Sequence, residues 1–121
     1  MAFCQPAQVL TFQLLKALLA EQPRAALQRV VDAPESAWCA LQYVTPDNTQ
    51  RCLVGHLGKY QHVQPKGDFK EGYQYLPGFY FRDGAMMEIS SYFVSLTLHC
   101  GQKAAIQAVR EYARELLNQK A

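Results

Sequence analysis

The sequence predicts an α+β domain, and three observations carry that expectation. Helix-period apolar stripes occupy both ends of the chain, strand-like runs rich in aromatic and β-branched residues fill the middle, and Asp83-Gly84 sits between two apolar arms. Strands grouped between helices, without strand–helix alternation, imply a mainly antiparallel sheet. The expected order is two N-terminal helices, about five strands and a C-terminal amphipathic helix, all in one domain over residues 1–121.

Pro6 suits the first turn of a helix that runs to about Ala20. On a helical wheel Val9, Leu10, Phe12, Leu14, Leu15, Leu18 and Leu19 leave only a narrow polar strip. A helix apolar nearly all round is covered on more than one side, which here calls for a wrapping sheet or a second subunit. Gln22-Pro23 breaks this helix and opens a shorter one, with Ala26, Leu27, Val30 and Val31 as its stripe and Pro34 as its stop.

Trp38–Val44 and Arg51–Leu57 read as strands of an antiparallel hairpin joined by the polar turn TPDNTQ. Gly58–Gly72 follows as a polar loop with a type I turn at Gln64-Pro65-Lys66-Gly67. So long a connection is either mobile or used. Asp83-Gly84 calls for a type I′ turn pairing Phe79–Arg82 with Ala85–Glu88. Tyr92, Val94, Leu96 and Leu98 then alternate with Phe93, Ser95, Thr97 and His99 as a further strand, its phase shifted by a bulge at Ser90-Ser91. After Gly101, residues Ala105, Ile106, Val109, Tyr112, Ala113 and Leu116 form one side of a final helix whose other side is polar.

Half the residues are hydrophobic, 18% are charged, and the net charge is +2. That composition is globular, and its charge is too small to name a partner. Val9–Ala20, the longest apolar stretch, is interrupted by Thr11, Gln13 and Lys16. A membrane span needs about 20 predominantly apolar residues, so no membrane association is expected. MAFCQPAQ carries no positive charge ahead of an apolar core, so no export signal is read. Cys4, Cys39, Cys52 and Cys100 are accordingly expected as reduced thiols in the cytoplasm.

Reactive letters crowd into RCLVGHLGKYQHV, from Arg51 to Val63. On a strand Cys52 and His56 would share a face about 13 Å apart, too far for one zinc ion, so no metal and no other cofactor is expected. Pairing Val44 with Arg51 would set Cys39 opposite His56, near enough for a thiol to meet an imidazole. A buried cysteine and a hydrogen-bonded core histidine account for the same letters more simply. No phosphate-cradling glycine loop, nucleophile elbow or carboxylate pair is present, and no catalytic residue is assigned.

Residues 51–82 concentrate the positive charge: Arg51, Lys59, Lys66, Lys70 and Arg82 stand against Asp68 and Glu71. Tyrosine and phenylalanine are interleaved among them. The expected binding face is Tyr60, Lys66, Lys70, Tyr73, Tyr75 and Arg82, a composition suited to a protein interface. The leading expectation is a non-catalytic protein of adaptor, inhibitor or immunity-like type that engages a protein partner as a homodimer. Second comes a single-stranded nucleic-acid module using the same face, with bases stacked on the rings and phosphates on the cations. Third comes a small-ligand or thiol enzyme centred on Cys39 and His56.

Overall fold

The computed structural model describes residues 5–59, 61–63, 72–74 and 85–119, the backbone alone at 61–63, 72–74 and 85. A 3-10 turn, Pro6–Gln8, leads into α1 (Leu10–Ala20), followed by α2 (Arg24–Asp32) and a second 3-10 turn, Glu35–Ala37. Then come α3 (Leu53–Gly58), β1 (Gln61–Val63), β2 (Gly72–Gln74), α4 (Ala85–Cys100) and α5 (Gln102–Gln119). The architecture is helical, so the α+β class with a sheet of about five strands is corrected. Pairing among the described residues is confined to the three-residue β1–β2 antiparallel ladder and two isolated bridges.

Two segments read as strands are helices, and each has a physical reason. In α4 the residues that face the core are Ile89, Phe93 and Leu96, with Met86 and Cys100 packed at their margins. Those positions recur every three or four residues, which is the helical period. The phase shift read as a bulge at Ser90-Ser91 is therefore that period interrupting a chance alternation. Ala85–Glu88 is helical, so it is not the second arm of a hairpin; the first arm and turn, Phe79–Gly84, and the type I turn at Gln64–Gly67 lie outside the described residues.

In the run Arg51–Leu57 the chain is extended only to Cys52, whose φ of −82° and ψ of −176° make it the N-cap of α3. Every residue from Leu53 to Gly58 is buried, so apolar alternation could not distinguish strand from helix there. Helix wins because of packing. A methyl on Gly55 would lie 1.9 Å from the Tyr43 carbonyl oxygen, so glycine lets the backbone of α3 seat against residue 43.

The terminal helices lie where their stripes put them. Phe12, Leu15, Leu18 and Leu19 of α1, Ala26, Leu27 and Val30 of α2, and Ala105, Ile106, Val109, Ala113, Leu116 and Leu117 of α5 enter one core with Trp38, Leu53, Leu57 and Phe93. Helix α1 packs on α4, α4 on α5, and α5 on α2, while α3 is wedged between α2 and α4. Gly101, at φ +88°, makes the sharp corner between α4 and α5, and its N–H donates to the Thr97 carbonyl at 2.8 Å.

Candidate functional site

Segment 50–52 is the hub of the irregular middle. Arg51 forms a parallel bridge with Trp38 on one side and an antiparallel bridge with Val44 on the other. The expected Val44–Arg51 pairing is thus present. It is closed by a turn in which Thr45 donates its N–H to the Gln50 carbonyl at 2.9 Å and Asn48 takes φ +62°. Asp47 accepts from the Thr45 and Thr49 hydroxyls, each at 2.7 Å, and these bonds hold its carboxyl down at about 2.

Past Cys52 the ladder ends and α3 begins, which turns His56 away from the position opposite Cys39. His56 is 6% exposed; its ring lies 4.3 Å from that of Trp38, centroid to centroid. Its Nε2–H donates to the Ala37 carbonyl at 2.9 Å, since a carbonyl can only accept. Burial is the main cause that lowers the imidazole to about 4; the Ala37 carbonyl opposes this, and the cations Arg51 and Arg110 reinforce it. The ring is neutral at physiological pH.

Cations gather round this histidine because helix ends do. Arg29 donates from Nε to the His56 carbonyl at 3.2 Å and from Nη2 to the Leu57 carbonyl, capping the C-terminus of α3. Arg110 donates to Val31 at 3.0 Å at the end of α2. Such terminal carbonyls lack partners within their own helix and carry partial negative charge. Arg29, Asp32, Arg51, His56 and Lys59 line an open cleft of about 320 Å³ between α2 and α3.

Both thiols are held protonated at neutral pH. Cys52 is buried and pushed up to about 11, mainly by desolvation, and Cys39 is raised for the same reason while its Sγ donates to the Gln42 carbonyl at 3.3 Å. Neither hydrogen-bonds to His56, so the structure does not form the thiol–imidazole pair. Helical spacing also fails to join Cys52 and His56 round one point: the sulfur faces the amides of Val54 and Gly55, and the ring faces Ala37. No group of three His, Cys, Asp or Glu side chains able to hold a metal occurs among the described residues. Cys39 and Cys52 are free thiols, but Cys100 is disulfide-bonded, which corrects the expectation of four reduced cysteines.

Of the expected binding face, Tyr60, Lys66, Lys70, Tyr75 and Arg82 lie outside the described residues. Tyr73 lies on β2 opposite His62, with only its backbone described. The structure adds what composition hid. Leu10, Leu14, Leu41, Met87 and Leu98 are exposed at 72%, 43%, 82%, 63% and 79%. Leu10 and Leu14, one turn apart, form an apolar strip on α1 away from its buried residues, while Met87 and Leu98 are exposed about three turns apart on α4. The nearly all-round apolar wheel of α1 was the signal for the first of these; the strand reading of α4 concealed the second. Arg29 had no signal, because its role depends on α3 being helical.

Among the described residues no helix is long and apolar enough to cross a membrane. Comparison of the chain with protein-family models, with curated proteins and with solved structures finds no match.

Proposed function

We propose that the chain is a small non-catalytic binding protein that engages a protein partner, and that this partner is a second copy of itself. The observation that carries the reading is the strip Leu10–Leu14 on α1, at 72% and 43% exposure, on a helix packed against the one that exposes Met87 and Leu98. Exposed apolar side chains one helical turn apart, such as Leu10 and Leu14, lie next to each other, and contiguous apolar surface marks an association site where single scattered side chains do not. Lys16, the one charge on α1, stands over the rings of Phe12 and Tyr112, 4.9 and 5.2 Å from their centroids. The outward strip is therefore uncharged, and two copies can meet there without like-charge opposition. The neutral, engaged imidazole of His56 and the protonated thiols support binding over catalysis.

Light scattering across a concentration series tests this. The wild-type chain should have the mass of two chains at micromolar concentration, and Leu14→Glu the mass of one with an unchanged circular dichroism spectrum. A wild-type monomer at high micromolar concentration, or a Leu14→Glu dimer, would overturn the reading.

A further inference from the structure

We propose that Cys39 and Cys52 form a thiol–disulfide site: the fold sets them side by side, and a low-molecular-weight disulfide converts them to an intramolecular bond. The placement follows from backbone hydrogen bonds. Arg51 donates its N–H to Ala37 and accepts from the N–H of Cys39, both at 2.9 Å, which is the pattern of a parallel bridge between Trp38 and Arg51. One residue further along each segment stand Cys39 and Cys52, with Cys52 still extended. In a parallel pair, lateral neighbours leave the same face, and neighbouring segments run about 4.7–4.9 Å apart. Disulfides join residues whose Cα atoms are about 4.4–6.8 Å apart, so the bridge fits with little backbone movement. Independently, the charge of Cys39 contributes to holding the proton on Cys52, so the two sulfurs lie within electrostatic reach.

Exposure assigns the order of events, because Cys39 is half-buried and Cys52 is 3% exposed. Cys39 gives up its proton to solvent, and its thiolate attacks one sulfur of the oxidant disulfide. The oxidant's S–S bond breaks, and one half leaves as a thiol. Cys52, deprotonated in turn, attacks the Cys39 sulfur of the mixed disulfide and expels the second half. Two protein thiols are oxidised and one external disulfide is reduced to two thiols. The product ties the N-cap of α3 to the segment that carries Trp38, a covalent staple across the Trp38–His56 stack.

The sequence provides a clean readout, since trypsin cuts after Arg29, Arg51 and Lys59 and so separates the two cysteines. The full-length chain is treated with oxidised glutathione at pH 8.5, alkylated, and digested without reduction. The expected species is peptide 30–51 disulfide-linked to peptide 52–59, formed at least tenfold faster in the folded protein than in urea. Cys52→Ser, which places a hydroxyl at the N-cap of α3, should stop at a glutathione adduct on Cys39. Cys39→Ser should leave Cys52 unmodified. Accumulation of the Cys39 adduct in the wild type, or equal linking rates folded and unfolded, would overturn the proposal.

Discussion

His56 makes the molecule acid-sensitive through a group that never needs to be charged. Its folded value of about 4 lies below the ordinary 6.5. Between those values the unfolded chain binds a proton that the folded chain refuses, so stability falls as pH drops through that window and the loss is complete below about 4. The span corresponds to about 3 kcal/mol. Urea denaturation at pH 7 and pH 4.5 should show a lower midpoint at the acid pH. His56→Gln, whose amide can still donate to Ala37, should flatten that difference. The histidine and the two thiols were visible in the sequence as reactive letters. That the imidazole is neutral and engaged was not visible there, nor that the thiols stand on neighbouring segments, because burial and partners are properties of the fold.

Helix α3 is six residues long, far below the length at which an isolated helix holds in water, so tertiary packing alone keeps it helical. Gly55→Ala should therefore be among the most damaging single-methyl changes available, costing about 3 kcal/mol or more, because its methyl meets a backbone oxygen instead of a side chain that could swing aside. Gly101→Ala should cost only about 1–2 kcal/mol, since its penalty is the positive φ and the space round it is open. Thermal melts of both variants check the order. Legibility follows the same divide. The one-sided stripes of α2 and α5 could be read from spacing, since each has a polar face for contrast. Arg51–Leu57 and Ala85–Cys100 could not, because apolar residues fall on nearly every side and period 2 fits as well as period 3.6 until a partner surface is known.

Across the whole molecule, the two sides of α1 should answer differently to truncation. Leu18→Ala removes a buried side chain and should cost about 2–5 kcal/mol of folding stability. Leu14→Ala should change the stability of a single chain by only about 0.5 kcal/mol, yet weaken association, which equilibrium sedimentation would register. The surplus of apolar residues on this helix was evident from composition; which of them face outward depended on where α4 lay. The burial of α3 has a last consequence, for amide hydrogen exchange. Helix ends in small proteins ordinarily fray and exchange through local openings. Residues Leu53–Gly58 are all enclosed, with α2 and α4 on either side and Arg29 across the final carbonyls. Only the edge of His56 meets the cleft beside α2, so the backbone of this helix has little room to open while the flanking helices stay docked. The shortest α-helix described should thus hold some of the slowest-exchanging amides, its deuterium uptake reporting global unfolding, while the first turn of far longer α5 exchanges within the native state.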